Sequence, residues 1–75
     1  MINHVKTLRT ALGWTQAELG ARVGVSRQAI IAIEADRHDP SLELAFRLAA
    51  AFQRPVEAVF VNAFATTQSP NGTSE

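Results

Sequence analysis

No cysteine occurs among the 75 residues. Disulfides and thiolate zinc sites are therefore excluded as supports for the core, which has to form by packing alone, and the redox compartment stays open. Nor is either charge in excess: seven Lys and Arg balance seven Asp and Glu, whereas a nucleic-acid binder usually carries a basic surplus. No apolar run approaches the roughly 20 residues a membrane span needs, and MINHVKTLRT holds no continuous apolar segment of signal-peptide type. A soluble, unprocessed, cytoplasmic protein is expected. Enzyme chemistry has little to work with. The two histidines, His4 and His38, fall in a terminal segment and a loop, without metal-ligand spacing such as HExxH. His38 beside Asp36 and Asp39 reads as a polar loop, since no enclosed pocket or third converging group can be named. No metal and no cofactor is expected. A chain this short is one domain at most, near the size at which a core is only just sufficient.

What the chain does have is apolar residues, 47% of the total, recurring with helical period. Asn3 can cap a first helix carrying Val5, Leu8 and Leu12, and Gly13 can supply the left-handed residue that ends it. In WTQAEL, Thr15 and Glu18 form a Thr-x-x-Glu capping box, with Trp14 placed to staple onto Leu19. Gly24 ends this second helix after about two turns. Val25, Ser26 and Ile30 repeat the cap-and-staple arrangement for a third helix. Pro40 and Ser41 announce a fourth, SLELAFRLAAAF, expected to bury Leu42, Ala45, Leu48, Ala49 and Phe52. Pro55 begins a brief fifth helix with Val56, Val59 and Phe60. The domain is thus placed at residues 1–64 and a disordered tail at 65–75, where TTQSPNGTSE is polar and rich in turn formers.

The third helix is unusual. A step of about 100° per residue puts Ile30 and Ile33 on one side, and Gln28, Ile31, Ala32 and Ala35 on the other, with Arg27 on the flank. One face belongs to a core and the other is free. From Gln16 to Ala35 the pattern is that of a helix-turn-helix, with Leu19, Val25, Ile30 and Ile33 inside, Gly20 where two helices meet and Gly24 at the turn.

On these residues the chain resembles the phage-repressor and Cro superfamily, in particular the short regulators called the xenobiotic-response-element type. LRTALGWTQAELGARVGVSRQAIIAIE and DPSLELAFRLAAAF follow that family's pattern, and the likeness runs from Val5 to about Phe60. It implies a compact all-α, five-helix, lambda-repressor-like domain with helices two and three as the helix-turn-helix. It also implies binding of double-stranded DNA, usually as a homodimer on an inverted repeat, and a role in transcription regulation. Carried over by position, Gln16 resembles the family's phosphate contact, and Arg27 and Gln28 its first groove-reading residues on a recognition helix spanning 27–35.

Side-chain chemistry is consistent with those roles. Gln16 stands at a helix N-terminus, which favours a phosphate oxygen. Gln28 can make two bonds to the N6 and N7 edge of adenine, and Arg27 to guanine O6 and N7 or to phosphate. Ile31 and Ala32 can meet a thymine methyl. Ser26, Arg37 and His38 complete the candidate DNA-contacting set. Glu34 projects beside Ile30 and Ile33 and needs a cation. Arg9 is the candidate, and in the resembled family an Arg and a Glu at these positions pair, so a structural ion pair is expected.

The chain departs from the family pattern in two places: Ala35-Asp36 replaces a common Asn-Gly after the third helix, and Gln53 replaces a frequent Gly after the fourth. Val56, Val59, Phe60, Val61 and Phe64 make more apolar surface than a short fifth helix can turn inward, and are assigned to a homodimer interface. The rival reading is a protein-interaction module, an antitoxin or adaptor on the same fold, favoured by zero net charge and by Ile31.

Overall fold

Four of the helices begin where a neighbouring side chain takes up an unpaired N–H donor. The computed structural model describes residues 2–61 and contains five helices among them: α1 Val5–Ala11, α2 Gln16–Val23, α3 Arg27–Glu34, α4 Leu42–Phe52 and α5 Val56–Val59. The Thr15–Glu18 capping box is complete: the Thr15 hydroxyl accepts from the Glu18 N–H at 3.0 Å and the Glu18 carboxylate from the Thr15 N–H at 2.7 Å. That backbone bond is the main cause holding the Glu18 carboxyl below the usual carboxylate range. Ser26 and Ser41 cap α3 and α4, each hydroxyl accepting from an N–H three residues on. Asn3 acts one residue further out than expected. The cap position of α1 is His4, while Asn3 accepts from the Val5 N–H at 3.0 Å and donates to the Ile33 carbonyl at 2.9 Å. It ties the start of α1 to the end of α3.

The four longer helices end alike, with a bond from the residue two or three past the helix back across the last turn: Trp14 to Arg9 O, Val25 to Gly20 O, Arg37 to Ala32 O and Arg54 to Ala49 O, at 2.9 to 3.1 Å. This closure puts one residue in the left-handed region. Gly13 (φ 74°) and Gly24 (φ 81°) take it without strain, whereas Asp36 (φ 59°) and Gln53 (φ 55°) carry a side chain there.

The core draws one stripe from every helix: Val5, Leu19, Val23, Ile30, Ile33, Ala45, Leu48, Ala49, Phe52, Val59 and Phe60. α2 and α3 pack most intimately. A Cβ on Gly20 would stand 2.7 Å from the Val25 carbonyl oxygen, so the turn is drawn against α2 where only glycine fits. Two expectations are corrected. Leu42 is 70% exposed: it stands three and seven residues before Ala45 and Ala49, at helical spacing with them, but as the first residue of α4 it lies at the helix edge, beyond the elements that cover that stripe. Leu12, one residue past α1, is half exposed. Exposed Arg22 stands with its guanidinium 4.1 Å from the Trp14 ring centroid. Trp14 packs on the core with its ring stacked 6.0 Å from that of Phe52, so it bridges α4 and the α1–α2 turn.

Val59 and Phe60 also differ from expectation. Assigned to a dimer interface, they are buried in the chain's own core at 0% and 6% exposure. The cause is a short antiparallel closure: the His4 N–H donates to Val59 O and the Val61 N–H to Ile2 O, each at 2.8 Å, around a bridge between Asn3 and Phe60. It rolls α5 onto the end of the domain. Val56 is partly buried and Val61 is 38% exposed. Phe64 and the tail placed at 65–75 lie outside the described residues.

Two substitutions should act with opposite sign. Gly20→Ala should destabilise by about 1 to 3 kcal/mol, since its Cβ meets backbone that cannot swing aside. Gln53→Gly should stabilise by about 0.5 to 1 kcal/mol, relieving the left-handed strain at some cost in chain entropy. Thermal unfolding followed by circular dichroism measures both, and an unchanged midpoint for Gly20→Ala would contradict the close approach.

Candidate nucleic-acid interface

The site is built on an ion pair. Arg9 projects from α1 with its side chain 10% exposed, and the Glu34 side chain, from the last turn of α3, is 5% exposed. Arg9 Nε donates to Glu34 Oε2 at 2.6 Å and Nη2 to Oε1 at 3.2 Å, the parallel fork that a planar guanidinium makes with a carboxylate. Its remaining nitrogen, Nη1, donates to the Trp14 carbonyl at 2.7 Å. One side chain thus fixes α1, the turn before α2 and the end of α3. The expected pairing is present.

Gln16 joins this network. Its Nε2 donates to Glu34 Oε1 at 3.1 Å, so the first residue of α2 is held beside the last residue of α3. Gln28 lies in the first turn of α3, exposed, next to exposed Arg27. Six residues separate Gln28 from Glu34, about 9 Å along the helix axis. The two glutamines therefore stand at opposite ends of α3, with Gln16 on its flank and Gln28 on its leading turn.

The other candidates divide in the same way. Ser26 belongs to the leading end, where its hydroxyl caps α3 by accepting from the Ala29 N–H at 3.2 Å. Arg37 and His38 are exposed in the turn that follows α3, on the side of Glu34. Ile31 and Ala32 are half-buried and only Ala35 is exposed, so the free face of α3 is less bare than its sequence predicts. Its protruding side chains are Arg27 and Gln28.

Sequence reasoning missed three contacts that set the geometry: Gln16 to Glu34, Arg9 to the Trp14 carbonyl, and Arg47 to the end of α2. Arg47 pairs with Glu43 one turn before it and donates to the Val23 carbonyl at 3.3 Å. The Glu43–Arg47 spacing of four was visible as an intrahelical pair. The bond to Val23 was not, since it depends on how α4 crosses α2.

No three His, Asp or Glu side chains among the described residues gather as a metal site, and no helix there is long and apolar enough to cross a membrane. An open hollow of about 490 Å³ on the outer face of α4, lined by Leu42, Glu43, Phe46, Arg47 and Ala50, presents only the paired Glu43 and Arg47 as polar groups.

Comparison with known proteins points to one family. The helix-turn-helix family model matches residues 5–59. An uncharacterized HTH-type transcriptional regulator of Methanocaldococcus jannaschii is 46% identical over 61 residues, 81% of this chain and 92% of that protein. The uncharacterized HTH-type transcriptional regulator YgzD of Bacillus subtilis is 47% identical over 60 residues, covering 80% and 91%. Among solved structures, the hypothetical transcription factor NHTF from Neisseria superposes with a TM-score of 0.69 at 27% identity, over 73% of this chain and 62% of that one.

The ion pair carries its own test. Arg9→Met or Glu34→Gln alone should lower the thermal midpoint by leaving a buried polar group short of its partner. The double variant should lose less than the sum, with a coupling of the order of 1 kcal/mol. Strict additivity in the double-mutant cycle would mean that the two charges are energetically independent.

Proposed function

The chain belongs to the helix-turn-helix family of DNA-binding transcriptional regulators, which are not enzymes, and from that premise we propose that it reads a specific duplex sequence as a cytoplasmic homodimer on an inverted repeat. The recognition helix is α3, entering the major groove by its N-terminal turn. The observation that carries this reading is the separation of roles along α3. The exposed Arg27 and Gln28 on the leading turn are free to read base edges, while Gln16, held at the flank by Glu34, is placed for a phosphate. Ser26 stands at the same leading end, and Arg37 and His38 supply backbone contacts beyond the helix.

Two copies are needed because one short helix with two polar readers discriminates few base pairs. A two-fold dimer sets two such helices about 34 Å apart, one turn of DNA. With Val59 and Phe60 in the core, the described part of the interface reduces to Val56 and exposed Val61, and Phe64 remains assigned from sequence.

Binding-site selection from a randomised duplex pool tests the whole reading, and an inverted repeat is the expected product. On the selected site, Gln28→Ala should lose about 1 to 3 kcal/mol and relax preference at one base pair. Gln16→Ala should weaken selected and scrambled duplexes alike. Equal loss on both duplexes from Gln28→Ala would remove Gln28 as a reader. Sedimentation at micromolar concentration addresses the dimer: the wild-type chain should be dimeric, and Val61→Glu or Phe64→Glu should split it and cost operator binding. A monomer throughout, on DNA as well as free, would confine the reading to a single half-site.

A further inference from the structure

We infer that the Arg9–Glu34 pair also serves DNA binding, as a positioning device that aims the Gln16 amide at a phosphate while cancelling the charge that would repel it. The inference rests on the DNA-binding reading above and adds two positioning residues to it. Neither can touch a duplex directly, with side chains only 10% and 5% exposed. They act through Gln16.

The Gln16 amide nitrogen carries two N–H donors. One is used on Glu34 Oε1 at 3.1 Å, which fixes the plane of the amide and the direction of the other. A free glutamine at the start of a helix would sample several rotamers, and ordering it on contact would weaken binding by a factor of about 3 to 10. Glu34 meets that cost in the folded chain. It is itself held by two bonds from Arg9, at 2.6 and 3.2 Å.

Electrostatics sets the role of Arg9. A carboxylate one hydrogen bond away from a phosphate contact would oppose the phosphate. The bidentate guanidinium beside it brings the local sum to zero, so Glu34 orients Gln16 without repelling the ligand. Arg9 also holds the Trp14 carbonyl at 2.7 Å, two residues before Gln16, so the backbone carrying Gln16 is fixed by the same group. The two partners are therefore unequal toward DNA. Losing Glu34 frees Gln16, whereas losing Arg9 leaves an uncompensated carboxylate at the site.

The test uses the full chain and a random-sequence duplex, because a phosphate contact does not depend on sequence. Affinities of the wild type, Gln16→Ala, Glu34→Gln, Gln16→Ala/Glu34→Gln and Arg9→Met are measured by fluorescence anisotropy below every variant's unfolding transition, with circular dichroism as the check of fold. Glu34→Gln should cost about 3-fold or more with Gln16 present and almost nothing in the Gln16→Ala background. Arg9→Met should cost more than Glu34→Gln. In the free wild-type protein the side-chain NH2 signals of Gln16 should be shifted from those of exposed Gln28, and Glu34→Gln should move them toward the Gln28 values. Equal fold-losses from Glu34→Gln in both backgrounds, or Gln16 signals already like those of Gln28 in the wild type, would overturn the inference while leaving the DNA reading intact. A wild type that binds no duplex would overturn the DNA reading itself, and the inference with it.

Discussion

The domain depends on one guanidinium placed where three pieces of chain converge. Arg9 sends its three nitrogens to the two carboxylate oxygens of Glu34 and to the carbonyl of Trp14. Burying two charges is expensive, and an isosteric apolar pair could be as stable or more so. What an apolar pair could not do is fix direction. The fork fits in one orientation, and with the Asn3 bond to the Ile33 carbonyl it anchors the C-terminal end of α3 to α1 and its flanks.

Short helices need firm ends, and this chain shows how they are supplied. α2 and α3 have eight residues each, too few to be stable as isolated helices. Their caps are side chains at the front and left-handed closures at the back. At Gly24 the closure is free of strain, and the Gly20 approach lets α3 sit hard against α2. At Asp36 and Gln53 the same geometry is kept with non-glycine residues. The fold tolerates this because the backbone bonds from Arg37 and Arg54, both 3.0 Å, are retained. Departure from the family's usual residues thus changes the strain at these positions and preserves the path of the chain.

How much of this was legible beforehand depended on the range of the interaction. Thr15 and Glu18, three residues apart, form their capping box because the bond is local. The helices α2 and α3, and the Gly24 turn between them, followed from signals within a few positions of one another. The Arg9–Glu34 pair spans 25 residues and was reached through a need, a carboxylate beside Ile30 and Ile33, together with a family likeness. Gln16 to Glu34 escaped notice because Gln16 already had a sufficient explanation at the helix start. Leu42 was misplaced by counting apolar periodicity to the helix edge, where a side chain no longer has a neighbouring element to cover it. Val59 and Phe60 were misplaced for a complementary reason: their apolar excess is absorbed by a pairing with Ile2, Asn3 and His4, residues nearly the whole domain away in sequence.

The absence of a basic surplus also takes on meaning from these contacts. Glu34 is matched by Arg9, Glu43 by Arg47, and Glu18 is turned onto its own helix cap, so these acids do not present a repulsive face to a polyanion. The cations offered near α3 are Arg27 and Arg37, with His38, against Asp36 and Asp39 in the same loop. Long-range attraction to a duplex is then weak, and little affinity comes from displaced counterions, which scale with the phosphates neutralised. A domain so charged gains its binding at contact distance. On the phosphate contact proposed for Gln16, that places the weight on side chains ordered beforehand, as the network from Arg9 through Glu34 orders Gln16.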